Sequence, residues 1–226
     1  MKRDWTAFAV EPREEEQEWT VEEIPVLTAR SSLPEPAAER AWGRIRRFYH
    51  WQRRSFYRYC KGELFPWAEA EAKNAMERGV PIPCFHAELT YRTTYRAGKL
   101  WSLYTELRDN AAPGPSVVRR WGDTWDLSGE FPLPPERFFP PRFAWKRGAL
   151  LAAEQEIRRQ ERRGEACFYP EWPRLLRRRF HPRNYYLTPE GVAFFFPMES
   201  LAPAIEGIPV FLLPYCGEAP FAPLRE

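Results

Sequence analysis

The sequence predicts an α+β fold, a largely antiparallel sheet covered by a long N-terminal helix and two later helices. Three observations carry that reading. Apolar residues recur at three- and four-residue spacings from Ala38 to Cys60 and from Phe143 to Ile157, which marks helices with one buried face. Apolar and polar residues alternate from Phe85 to Tyr91, which marks a half-buried strand. Strand-like and helix-like stretches come in groups along the chain, not in strict β–α alternation.

The elements follow in order. Residues 1–16 read as a polar, charged arm. Residues 18–29 form a strand with an irregularity at Pro25. Ser31 or Ser32 then caps a helix whose first turn holds Pro34 and Pro36. That helix buries Trp42, Ile45, Tyr49 and Phe56, and Gly62 and Pro66 mark a break or kink in it. A second helical stretch, from Pro66 to Arg78, ends on Gly79, a residue suited to a left-handed cap. Three strands come next: from Phe85, from Leu100 after a turn at 97–99, and from Val117 after a loop at 109–116. Joined in sequence they make an antiparallel meander, which closes in a turn at Ser128–Gly129. A proline-rich bend leads to the Phe143–Ile157 stripe, stopped by Gly164, and a short helix carries Trp172, Leu175, Leu176 and Phe180.

The last third is the most apolar. Residues 184–188 and 192–196 read as a hairpin around Pro189–Gly191, 197–207 as a crossover, and 208–214 as a final strand. Phe194, Phe195 and Phe196 cannot all face one side of a strand. Both faces are therefore covered, or one ring is presented to a partner. The hairpin and last strand are expected to join the meander in one sheet. The resulting domain spans 17–216, with a subdivision near residue 80 left open, and 217–226 form a tail.

Composition narrows the function. With 226 residues, 44% hydrophobic and 29% charged, the chain is globular. Its net charge is only +3, and the arginine bursts at 44–58 and 174–179 are offset by Glu11, Glu14, Glu15 and Glu16. That pattern reads as solvated helix faces and points away from nucleic acid. The N-terminus lacks the apolar core of a signal peptide, and no run approaches the ~18 apolar residues of a membrane span, so a cytoplasmic location is expected. Cys60, Cys84, Cys167 and Cys216 are widely spaced, without the close pairs that structural zinc uses, and read as free thiols. No glycine-rich phosphate loop or dinucleotide fingerprint occurs, so no cofactor and no metal ligand is assigned.

Two pairs of residues bear on catalysis. Cys84 and His86 are two apart on one strand face, the arrangement of a thiolate–imidazole pair, though no third group accompanies them. Asp123 and Asp126 flank Trp125, but alternation sends them to opposite faces, whereas paired acids must converge. No catalytic residue is assigned. Asp126 is expected to bond the following turn, with Trp121 and Trp125 packed on a helix. The alternative role for this region is a binding platform of Trp101, Tyr104, Arg120, Trp121, Asp123 and Trp125, taking a protein or a glycan. An uncharacterised enzyme using Cys84/His86 or Asp123/Asp126 is the second reading, and a cytoplasmic structural or regulatory protein acting by contact alone is the third. The partner's identity and the oligomeric state are left open.

The segments NYYLTPEGVAFFF (184–196) and LAPAIEGIPVFLLPY (201–215) carry more. An aromatic strand, a glycine turn, an aromatic return strand, an Ala-Pro step, a glycine and a last strand ending near Pro-Tyr together resemble the C-terminal signature of the RsiV-like domain family. Members include the extracytoplasmic part of an anti-sigma factor and an accessory region of some peptidoglycan deacetylases. Trp125–Asp126–Leu127 and Gly129 resemble the family's Phe-Asp-Leu phrase and its glycine turn. The likeness spans about 18–216 and is specific at 184–215. It implies a non-catalytic α+β binding domain that recognises a protein or a cell-wall-type glycan.

Overall fold

The computed structural model describes residues 9–36, 42–110 and 116–215. The expected tail at 217–226, the start of the arm and of the first helix, and most of the 109–116 loop lie outside these residues. The fold is α+β, with a six-stranded mixed sheet and a separate three-stranded antiparallel sheet. Where a single domain was expected, the chain divides into two compact units. Among the described residues the first holds 9–91 and 105–118, and the second holds 92–104 and 119–215.

In the first unit, β1 (Val10–Val21) pairs antiparallel with β2 (Ile24–Pro36), and residues 10–16, expected as an arm, are paired along their whole length. The helix start expected at Ser31–Pro36 is strand instead. Pro34 and Pro36 are tolerated because β2 pairs with β3 (Phe85–Ala97) only over Leu27–Ser31. Among the described residues no β3 partner faces β2 beyond Ser31, and Pro34 faces Pro12 across the β1 ladder. The irregularity expected at Pro25 is present as a register shift, with Trp19 opposite Leu27 but Thr20 opposite Pro25. The β2–β3 pairing is parallel, so the intervening chain must cross over, and it does so as helix.

That crossover is α1 (Gly43–Tyr59) and α2 (Phe65–Arg78), joined without interruption by a π-helical turn at Cys60–Leu64. Of the break or kink expected at Gly62 and Pro66, the structure has no break, but the helix is irregular there, as the π turn. The reason lies in spacing. Phe56, Cys60, Leu64, Ala68 and Ala72 are buried at every fourth position in one core with Leu27, Leu33, Phe85 and Leu89. Four residues of α-helix overshoot a full turn by about 40°. A pure α-helix would carry this row off the sheet, and the wider π turn takes up the drift. Gly79, at φ 63°, closes α2 in the left-handed conformation expected of it.

The second unit holds the ends of β3 and β4 (Leu100–Asn110) around the Gly98 turn, most of β5 (Val117–Asp126) and the short β6 (Phe131–Pro132). It also holds α3 (Trp145–Arg163), α4 (Trp172–Arg179) and the three-stranded sheet of β7 (Tyr185–Leu187), β8 (Gly191–Phe195) and β9 (Val210–Pro214). The helical stripe behaves as expected: Trp145, Ala149, Ala153 and Ile157 are buried, and Gly164 caps at φ 64°. Phe194 meets Trp145 and Phe180, Phe196 meets Phe211, and Phe195 stacks on Tyr186, so both faces of the β8 strand are covered.

The C-terminal strands do not, however, join the meander in one sheet. The free edge of β7 is seated on side chains and on a glycine. Leu187 N–H donates to Ser102 Oγ at 2.9 Å, and Ser102 Oγ lies 2.8 Å from Thr124 Oγ1. The edge N–H is thus satisfied by a hydroxyl rather than by another strand. At Gly122 the backbones come so close that a Cβ would lie 1.8 Å from the Tyr185 carbonyl oxygen.

Two stability predictions follow from the backbone. Gly122→Ala should cost about 3 kcal/mol, because the clash is with main chain that cannot rotate away. Equilibrium urea unfolding reads this, and a loss below about 1 kcal/mol would show that β7 can move off. The β1–β2 turn places Glu22 and Glu23 at φ 49° and 67°, a mirror-image turn that favours Asn-Gly. Glu22→Asn with Glu23→Gly should raise stability by about 1 kcal/mol, seen as a higher urea midpoint at unchanged slope.

Candidate functional site

A cleft of about 700 Å³ opens in the second unit where four segments meet. β5 supplies Gly122, Asp123 and Thr124, the bend after β6 supplies Leu133 to Glu136, α3 opens with Trp145 and Lys146, and Pro182, Arg183 and Tyr185 lead into β7. Its floor is rigid. Trp145 stacks on Phe194 at 5.7 Å with an interplanar angle of 10°, and both it and Tyr185 are buried. The Tyr185 hydroxyl donates to the Leu133 carbonyl, and burial pushes its pKa up, so the phenol stays neutral. The rim is polar and balanced, with carboxylates on Asp123 and Glu136 and cations on Lys146 and Arg183. Lys146 Nζ lies 5.5 Å from the Trp145 ring centroid. The cleft therefore offers hydrogen-bond donors and acceptors above an aromatic base without a net field.

Of the six residues expected to form a platform, only some are available to a ligand. Trp101 is 1% exposed, with its indole N–H donated to Thr93 Oγ1 at 3.1 Å, and Trp125 is 4% exposed; both are core. Tyr104 lies beneath Arg120, whose guanidinium carbon is 4.3 Å from the ring centroid and within 6 Å of Tyr186 and Phe195. Arg120 thus packs against three aromatic rings rather than reaching outward. Trp121 is 44% exposed, not packed as a helix contact would require, and Asp123 lines the cleft. The structure joins Asp123 to residues from three distant segments and does not gather the four aromatics into one patch. Glu136, Trp145, Lys146, Arg183 and Tyr185 were not anticipated. The proline pair 134–135, which lines one wall of the cleft, was the available signal.

The proposed catalytic pairs do not assemble. Asp126 Oδ1 accepts from the Ser128 N–H at 2.8 Å and from the Ser128 hydroxyl, so it holds the turn as expected. Cys84 precedes β3, with its sulfur 3.8 Å from Thr28 Oγ1 and 3.7 Å from the Phe85 carbonyl oxygen, while His86 is exposed. Among the described residues, no cluster of three or more His, Cys, Asp or Glu is placed to hold a metal ion. None of the described helices is long and apolar enough to cross a membrane.

The family described as "Protein of unknown function (DUF3298)" matches residues 138–216, which contain α3, α4 and the three-stranded sheet. Two solved structures have this fold. A DUF3298 family member from Bacteroides fragilis superposes with a TM-score of 0.66 and 10% identity, over 92% of this chain and 91% of its own. A DUF3298 family protein from Pseudomonas aeruginosa PAO1 superposes with a TM-score of 0.60 and 13% identity, over 92% and 90%. At such identities the likeness establishes architecture and carries no ligand. Comparison with curated proteins found no match.

The thiols give a direct check on the burial described here. Cys60 is fully buried, and burial, with Asp109 nearby, pushes its pKa up to about 12. Cys167 is exposed. Because the thiolate is the reactive form, iodoacetamide at pH 8 should label Cys167 within minutes and leave Cys60 unlabelled until denaturant is added. Peptide mapping by mass spectrometry distinguishes the sites, and native labelling of Cys60 would contradict the packing of the π turn.

Proposed function

We propose that the chain is a binding module of the RsiV-like kind, and that the Asp123 cleft recognises a neutral, hydroxyl-rich ligand, a cell-wall-type glycan. One observation carries this reading: two carboxylates and two cations ring an aromatic floor in a cleft of about 700 Å³. Sugar hydroxyls both donate and accept, so they can satisfy a balanced rim, and pyranose faces pack on aromatic surface. A highly charged ligand would gain little from a rim of zero formal charge. A binding role rather than catalysis is supported by the use of Asp126 in a turn and by the setting of Cys84 against Thr28 and its own strand. A protein partner is the second reading, favoured by Trp121, a residue type common among interface anchors and 44% exposed here.

The test is titration of the intact chain with soluble chito-oligosaccharides, followed by tryptophan fluorescence and calorimetry. Saturable binding is expected. Asp123→Asn and Arg183→Ala should each weaken it about tenfold, the loss of one charged hydrogen bond, with the melting temperature nearly unchanged. Absence of saturation, or wild-type affinity in both variants, rejects the glycan reading. If Trp121→Ala instead abolishes capture of a protein partner while Asp123→Asn does not, the second reading replaces it.

A further inference from the structure

The first unit contains another cleft, of about 580 Å³, beside the start of α1. Its charged lining is Arg13, Glu35, Arg46, Arg47, His50 and Arg53. Among the described residues, four guanidiniums against one carboxylate leave a formal charge of +3 with the histidine neutral, and that carboxylate is already engaged, with Glu35 3.2 Å from Arg13. Charge alone would describe an ordinary solvated face. Arg53 makes it otherwise.

Arg53 is 4% exposed, yet no carboxylate lies within ion-pair distance of it among the described residues. Its Nη2 donates to the Arg13 carbonyl at 3.3 Å, and its Nε is buried without any partner. Burial, and then the neighbouring Arg13, draw its pKa down; Glu15, Glu35 and Tyr57 act the other way without forming a bond to it. A buried cation is ordinarily held by an anion bonded to it, since desolvation is otherwise uncompensated. In this unit the position for that anion is the cleft which Arg53 lines.

We propose that this cleft is an oxyanion site for a small phosphate ester. The planar fork of arginine matches phosphate oxygens, and several guanidiniums around one cavity match a group that carries close to two negative charges at neutral pH better than a single carboxylate. The volume exceeds that of a bare phosphate and leaves room for the group esterified to it. The site lies wholly within the first unit and is independent of the glycan reading.

The intact chain is titrated with inorganic phosphate and with glucose 6-phosphate at constant ionic strength, using calorimetry and thermal unfolding. Both should bind saturably, the ester at least tenfold tighter; equal affinities would reduce the site to one for free phosphate and overturn the ester assignment. Arg47→Gln, a change at an exposed side chain, should weaken binding at least fivefold without altering the melting temperature of the unliganded protein. Arg53→Met should abolish the response and raise that melting temperature, because it removes a buried charge to which no anion is bonded among the described residues. A non-saturating response, wild-type affinity in both variants, or a lowered melting temperature in Arg53→Met with binding retained would each overturn the proposal.

Discussion

The second unit depends on the β8 strand having no solvent side. Phe194 and Phe195 point to opposite faces, and each needs a full apolar wall. On one side the wall is α3 with its small residues Ala149 and Ala153, which let the helix approach, and with Trp145 at its first turn. On the other it is the Tyr104–Tyr186–Phe195 stack under Arg120. Burying the two phenylalanines of this short strand and Phe196 just after it contributes on the order of several kcal/mol, comparable to the net stability of a whole domain. The remaining features of the unit can be read as what this strand requires. Gly122 has no side chain because the backbone of β7 occupies that space, and Ser102 accepts the Leu187 N–H at the β7 edge. The candidate cleft is a by-product of the same constraint, since Trp145 and Tyr185 are at once the wall of the core and the floor of the site.

Much of this was legible in the residues. The helical stripe from Ile45 to Phe56 and that from Trp145 to Ile157, the glycine caps at Gly79 and Gly164, the Gly98 turn and the Asp126–Ser128 turn all follow from local chemistry and appear where that chemistry places them. The three phenylalanines implied a strand covered on both faces, and it is. What was not legible depends on contacts between distant segments. Pro34 and Pro36 look like a helix start, and become strand only because β2 has lost its second neighbour there. Residues 10–16 look like a charged arm, and become strand because β2 offers a continuous ladder. Whether β7 would extend the first sheet or rest on it was decided by Gly122 and Ser102, two residues without any distinguishing local pattern. The site was half legible for the same reason. Asp123 and its strand could be named, while Glu136, Lys146 and Arg183 enter only through the path of the chain between elements.

The two clefts differ in physical character. The one in the second unit balances its charges around rings that are already packed, so a ligand meets a finished surface. The one in the first unit holds an excess of positive charge, part of it withdrawn from water. Preformed, balanced surfaces favour selectivity through hydrogen-bond geometry, whereas an unneutralised buried cation favours anions of any shape that fits.

The π turn at Cys60–Leu64 also bears on how the chain tolerates changes in length. Each residue of an α-helix turns the chain by about 100°, so removing one from α1 or α2 would rotate everything beyond it and lift Ala68, Ala72 and Ala75 away from the sheet. Within the wide turn the extra residue is absorbed locally, and its deletion would tighten five residues into ordinary helix while both ends keep their seats. The rod between β2 and β3 thus has one joint at which a residue can be gained or lost, and it sits where Cys60 and Leu64 anchor it on either side.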